Sequence, residues 1–320
     1  MNTVALLDVD NMEKRKISFP SLPLMKLSAY HKNRGDAVDW WIALGKYDVA
    51  YKSKVFDYSP ESSYAIRADV VIEGGTGYGL ENKLPDEVEH IMPDYSLYPQ
   101  FKAAFGFLSR GCPRKCPFCV VSPKEGAKSE RVSDLSEFWN GQHLIKILDP
   151  NLLACKDHEI MLQQLIASAA LVDFTQGLDI RLITADNVAL LKRIRVKQIH
   201  FAWDNPREDL TGMFERFKRL SGIKDYRKLG VYVLTNFNST LDEDIYRIET
   251  LRDLGYSPYV MIYDKKNAPR EKRLLQRWVN NRRIFGSVKS FADYDHTRSG
   301  ENEQRSKILP VITNRRREYQ

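Results

Sequence analysis

The chain has 320 residues, 43 % of them apolar and 28 % charged, with a mean hydropathy of -0.44, the composition of a folded globular chain rather than a disordered or membrane-spanning one. Its formal net charge of +7 would suit nucleic acid if it were spread over the molecule. It is not: residues 265–320 hold fifteen Lys and Arg against six Asp and Glu, a net of +9, whereas residues 1–264 hold 34 against 36 and net -2. The opening M-N-T-V-A-L-L-D-V-D carries two acids and no basic stretch, unlike a secretory leader, and no window reaches the eighteen apolar residues of a membrane span. A cytoplasmic protein outside the membrane is expected.

In chain order, residues 3–9 form an apolar run ending in acids, and 37–43, 49–56 and 68–72 are further aromatic or β-branched runs, so four strands are predicted. Between the first two, Leu22, Met25, Leu27, Ala29 and Tyr30 mark a helical face within 20–34, stopped at Gly35. The fourth run enters Glu73-Gly74-Gly75-Thr76-Gly77-Tyr78-Gly79. Its glycines do not fit G-x-G-x-x-G, since Leu80 or Asn82 stands where the third would be, so a loop near a ligand or a plain turn is expected there. Together these elements predict a small open α/β layer over residues 1–98.

An aromatic connector at 92–101 leads to a second α/β series. Strands are predicted at 102–109, 145–148, 174–183, 198–203, 230–235 and 258–263, with helices at 157–171, 185–195, 210–220 and 240–254. Six strands separated by helices imply parallel βα units, and an eight-unit barrel typically needs about 250 residues, so a partial (β/α)6 barrel over 99–265 is expected. Residues 266–320 form a basic extension opening with a helix that carries Leu274, Leu275, Trp278 and Val279. The fold class is α/β: a small Rossmann-like layer, a partial barrel, and a C-terminal helical extension.

Three of the four cysteines crowd into Arg110-Gly111-Cys112-Pro113-Arg114-Lys115-Cys116-Pro117-Phe118-Cys119, on the loop leaving the first predicted barrel strand. Active sites of barrel folds gather at that end of the strands. Thiolates four and three residues apart on a Gly- and Pro-rich loop can converge on one centre, and in a reducing compartment such spacing points to metal rather than disulfide. Two metal readings stand open: a 4Fe–4S cluster with three protein ligands and one iron left for a small molecule, or a zinc ion completed by Cys155 or a histidine. Structural zinc more often takes two separated pairs of ligands, which favours the cluster. Cys155, in L-L-A-C-K-D, reads as a packed thiol.

The C-x3-C-x2-C spacing, with the aromatic Phe118 before the third cysteine, resembles the signature of the radical S-adenosylmethionine (SAM) superfamily, and the similarity in organisation covers about residues 100–265. The resemblance implies a 4Fe–4S cluster on Cys112, Cys116 and Cys119 whose free iron binds SAM and reduces it to methionine and a 5'-deoxyadenosyl radical, which takes hydrogen from a substrate. It implies an electron donor such as flavodoxin or ferredoxin as a partner. It also implies SAM contacts at Phe118 and at successive strand ends: Asp149 and Asn151, where related enzymes hold the SAM amino group; Gln176, Asp179 and Arg181, with Arg181 as a bidentate partner for the carboxylate; and Trp203, Thr235 and Tyr263. Structural alternatives stand beside them, an N-cap for Asp149 and an internal pair for Asp179 and Arg181.

Missing residues narrow the subclass. Methylthiotransferases need three further cysteines, and only Cys155 is spare; peptide maturases need a cysteine-rich extension, and residues 265–320 contain no cysteine. The first layer resembles a degenerate cobalamin-binding domain, but His31 and His90 are not set in Asp-x-His-x-x-Gly, so cobalamin dependence is not expected. Asp8, Asp10, Asn11, Glu73 and Tyr78 at its strand ends, with Asn236 farther on, suit a cationic, ring-containing small molecule such as a modified nucleobase, or else cap turns. The layout is similar to that of queuine lyases of queuosine salvage, which release a deazaguanine precursor. A second reading makes the substrate RNA or a peptide, docked through 270–283 and Arg315-Arg316-Arg317. A third, of another class, is a zinc-dependent nucleic-acid-binding module.

Overall fold

The computed structural model describes residues 1–12, 17 and 19–297, so the basic run Arg315-Arg316-Arg317 lies outside the described residues. The chain divides into two compact units, one of residues 1–201 and 213–229, the other of 202–212 and the described residues from 230 onward. Among the described residues no helix is long and apolar enough to cross a membrane.

The first unit opens with strand β1 (Thr3–Asp8), helix α1 (Leu22–Asn33) and strands β2 (Ala37–Trp40), β3 (Tyr47–Ser53) and β4 (Ala68–Gly74). The strands are parallel, in the order β2-β1-β3-β4. On one side of β1, Val4 and Leu6 pack with Leu24 and Leu27 of α1; on the other, Ala5 and Leu7 pack with Ala50 of β3. A parallel strand buried on both faces must be apolar throughout, which is why residues 3–9 read as one run. α1 carries a proline in its first turn, where a missing N–H costs no hydrogen bond. Short α2 (Asp86–Glu89) and the following connector tie this layer to the rest of the unit. There Asp94 accepts from Ser28 and Lys32 of α1, both at 2.7 Å.

Next come β5 (Ala103–Gly106), β6 (Ser109–Arg110), α3 (Val121–Glu125), β7 (Glu130–Arg131), β8 (Leu144–Ile147), α4 (His158–Ser168), β9 (Leu171–Phe174), α5 (Ala185–Arg193), β10 (Arg195–Ala202) and α6 (Thr211–Ser221). β5, β8, β9 and β10 pair in parallel in that order, and β6 and β7 form a small antiparallel pair. The third strand lies earlier than the sequence pattern suggests. β9 ends at Phe174, and residues 175–183, expected as strand, are loop: Gly177 adopts φ +119, and the Asp179 side chain accepts the Arg181 N–H and caps one 3-10 turn. A side-chain cap of this kind competes with a strand ladder for the same backbone group. The preceding helix, expected to run to 171, stops at Ser168, with Ala169 in the left-handed region.

The second unit contains β11 (Leu229–Thr235), α7 (Leu241–Asp253), β12 (Ser257–Ile262), α8 (Arg270–Asn280) and α9 (Arg282–Ser287), with β11 and β12 parallel. Thr240 and Glu243 form a capping box that starts α7. α8 lies along β12, where the Asn280 side chain accepts from the Val260 N–H at 2.8 Å and donates to its carbonyl at 3.0 Å, quenching backbone groups that an edge strand otherwise leaves open. Arg247, Asp244 and Lys272 form a buried charge cluster, with Asp244 shared between the two cations and Arg247 also donating to the carbonyls of Trp203, Asp204 and Leu234. In chain order, β5, β8, β9 and β10 of the first unit and β11 and β12 of the second are the six parallel strands expected of the barrel region, with the α8–α9 extension after them.

Candidate functional site

The cysteine loop leaves β6 and is folded by its glycines and by charge. Gly111 adopts φ +86, and a Cβ there would sit 1.9 Å from the Lys128 carbonyl oxygen, so only glycine fits. Glu125 of α3 accepts from Arg110 at 3.2 Å and from the Gly111 N–H at 3.4 Å, and the Cys112 N–H donates to the Gly126 carbonyl at 3.1 Å. The loop therefore closes on itself across α3. A further turn brings the Cys119 N–H to the Cys116 carbonyl at 3.0 Å. All three thiols are half-buried, and Arg114 and Lys115 between them are exposed.

Among the described residues no three His, Cys, Asp or Glu side chains are arranged to hold a single metal ion.

Two side chains at the end of β8 reach this loop. Asp149 is buried; Oδ1 accepts from the Leu108 N–H at 2.8 Å, and Oδ2 from the N–H and hydroxyl of Ser109, each at 2.5 Å. Burial pushes its carboxyl up to about 6 against the pull of these three donors. All three bonds go to the chain entering the cysteine loop, which makes Asp149 a positioning residue for that loop. Asn151, 3 % exposed, donates from Nδ2 to Cys112 Sγ at 3.6 Å. Its Oδ1 is buried with no partner. A buried acceptor beside the first cysteine fits a ligand ammonium.

Elsewhere in the first unit, Arg181 donates from Nε to Asp179 Oδ1 at 2.7 Å, a contact common to an internal pair and to an Asp179 that orients Arg181. Gln176 is exposed and Phe118 half-buried. In the second unit Trp203 is buried, with Nε1 donating to the Glu208 carbonyl at 2.8 Å, and Thr235 is buried, its hydroxyl 3.3 Å from the Met261 carbonyl. Tyr263 is exposed, and its carbonyl accepts from Asn236 Nδ2 at 2.8 Å.

The first layer's candidates fall into three internal sets of contacts. Asp8 accepts from the Tyr98 hydroxyl at 2.6 Å and from Asn11 at 2.8 Å, while Asp10 accepts the Val55 N–H and the Ser59 hydroxyl, both at 2.6 Å. Glu73 accepts from Lys52, and Tyr78 donates to Glu61 and lies under the ammonium groups of Lys52 and Lys54. Burial and the Glu61 bond hold the Tyr78 phenol up to about 12. His31 has Nδ1 on Asp36 and Nε2 on the Tyr51 hydroxyl, and His90 pairs with Glu137. Sequence reasoning missed Asp173, a buried carboxylate in β9, because the strand was placed one residue after it.

No protein-family model matches the chain, and no curated protein matches it. Among solved structures it is similar to the radical S-adenosylmethionine methyltransferase TsrM from Kitasatospora setae, with cobalamin and a 4Fe–4S cluster bound in one structure and with tryptophan substrate and a SAM analogue in another. The chain has the fold of these radical SAM enzymes. TM-scores are 0.58 and 0.59 at 10 % sequence identity, over 81 % of this chain and 72 % of the other.

Proposed function

We propose that the protein is a radical SAM enzyme acting on a small molecule in the cytoplasm, with Cys112, Cys116 and Cys119 holding a 4Fe–4S cluster. The observation that carries this reading is the three-thiol loop at the C-terminal end of the first barrel strand, with the unpartnered Asn151 Oδ1 beside Cys112. When bound, the cluster supplies the electron, drawn from a partner such as flavodoxin or ferredoxin, that cleaves SAM into methionine and a 5'-deoxyadenosyl radical. The chain's own residues bind and orient. Asn151 Oδ1 accepts from the SAM ammonium, and Asp149 and Gly111 fix the loop. Within this class the single cysteine triplet and the short α/β leader favour a queuine-cleaving lyase.

The test is anaerobic reconstitution with iron and sulfide, followed by incubation with SAM, a reductant and queuine. About four irons per chain and 5'-deoxyadenosine formation are expected, and Cys→Ala at position 112, 116 or 119 abolishes both. Stoichiometric zinc without iron sinks the reading. Formation of a deazaguanine product distinguishes queuine cleavage from another substrate.

One surface favours the second reading, an RNA substrate. A groove of about 710 Å³ in the second unit is lined by Lys265, Arg273, Arg277 and Arg282 with Tyr259, and its lining holds no carboxylate. Cations four residues apart on α8 repel one another and are relieved by a polyanion. RNA affinity that falls steeply with salt and is lost in Arg273→Glu/Arg277→Glu supports it; salt-independent or absent binding decides for the small molecule.

A further inference from the structure

The strands of the first unit present alternate residues to opposite faces. Val172 is level with Ile145 and Val196, and Phe174 with Ile147 and Ile199. On that face of β10, Phe201 meets Phe214 and Phe217 of α6 edge-on, with ring centroids 6.1 and 4.9 Å away. The opposite face therefore carries Lys146, Asp173 and Gln198 in one row across β8, β9 and β10, with Phe105 of β5 beside Lys146 and His200 two residues beyond Gln198.

Asp173 is 6 % exposed, and Oδ1 is buried without a partner. Its Oδ2 lies 4.0 Å from Lys146 Nζ and 3.9 Å from Lys197 Nζ, beyond hydrogen-bond length. No internal donor offsets the desolvation of Oδ1. His200 donates Nδ1–H to the Phe174 carbonyl at 3.0 Å, since a carbonyl can only accept, and the neutral ring then carries its lone pair on Nε2. Burial pulls its pKa below the ordinary histidine range, so the ring is uncharged at neutral pH. Phe19, partly exposed, places its ring 5.5 Å from that of Phe105 and 5.7 Å from Lys146 Nζ.

We propose that this row is a substrate-orienting subsite for a neutral heterocyclic lactam, whose ring N–H donates to Asp173 Oδ1 and whose adjacent carbonyl accepts from Lys146. Charge selects the class. Lys146 in the row and Lys197 beside it set two ammonium groups against one carboxylate, a net positive charge that disfavours a cationic ligand, while a simple anion would leave Oδ1 without a donor. A group with C=O and N–H side by side satisfies both, and Phe19 adds an apolar surface for a flat ring. The subsite rests on the reading of the chain as a small-molecule enzyme.

Isocytosine carries this edge, and 2-aminopyrimidine keeps its amine and ring nitrogens but lacks the carbonyl and ring N–H, so the two are titrated calorimetrically into the reconstituted chain. Isocytosine should bind with a dissociation constant on the order of 1 mM, as expected for so small a ligand. 2-Aminopyrimidine should bind at least tenfold more weakly, and Asp173→Asn and Lys146→Met should each weaken isocytosine about tenfold. No saturation at roughly twentyfold higher concentration, equal affinity for the two ligands, or an unchanged constant in Asp173→Asn overturns the subsite. The ligand comparison is made on the wild-type chain and does not depend on how the variants fold. Iron content and SAM cleavage are read on the same preparation, so lactam binding without iron overturns the function reading alone, and iron without lactam binding overturns the subsite alone.

Discussion

Asn151 donates from Nδ2 to the Sγ of Cys112 across 3.6 Å, while its own Oδ1 is buried without a partner. One amide group is thereby fixed by a cluster-ligand candidate and left able to accept from a ligand. Asn151→Leu should leave iron content near the wild-type value but weaken SAM by about 1.5–3 kcal/mol, roughly 10- to 150-fold, the usual cost of losing a hydrogen bond to a charged group. SAM titration of the reconstituted variant checks this, and wild-type affinity would remove Asn151 from the site.

Asp149 makes a distinct prediction because it touches the loop and not the thiols. Asp149→Asn replaces one of the two acceptor oxygens with an amide donor that faces an existing donor, and should cost about 1–3 kcal/mol of stability together with part of the iron loading. Its pH signature has a definite sign. The folded-state carboxyl, pushed up to about 6, holds its proton better than the unfolded carboxyl near 3.9, so its stabilising contribution is complete below about pH 4 and is lost as pH rises through 6. Denaturant unfolding of both chains between pH 4 and 7 should show this falling segment in the wild type and not in the variant.

Gly111→Ala tests the loop's backbone. Its Cβ would meet a carbonyl oxygen 1.9 Å away at φ +86, a strain that no rotamer relieves. Iron loading should fall at least tenfold with all three cysteines intact, as measured by iron analysis after reconstitution, and the melting temperature should drop.

Cys155 separates cluster from zinc. It is 1 % exposed, and burial pushes its thiol pKa up, the condition of an inert packed cysteine. Cys155→Ala should keep full iron content and cost about 1 kcal/mol from the lost sulfur contacts. Loss of metal in this variant would instead make it a fourth ligand.

Much of the fold was legible because its signals are local. The run at 3–9, the helix start at residue 240 and the alternation of strand and helix each follow from burial or capping within a few residues, and in the structure Thr240 and Glu243 box that start. The third barrel strand was misplaced because Asp173 interrupts its apolar pattern, although that carboxylate faces away from the helix-packed side. The apolar stretch after it is held by Gly177 and the Asp179 cap, which hydrophobicity does not register.

The sequence by itself determined the cysteine triplet, its place after a strand, the α/β class and the confinement of net positive charge to residues 265–320, since each depends only on residue identity and spacing. Only the tertiary structure decided what the polar strand-end residues do. Asp149, Asp179 and Asp8 take internal partners, while Asn151 and Asp173 each keep a buried oxygen without one. The physical reason is that hydrogen-bond satisfaction depends on donors supplied from 40 or more residues away, as Leu108 and Ser109 supply Asp149; spacing along the chain does not encode which acceptors those donors reach.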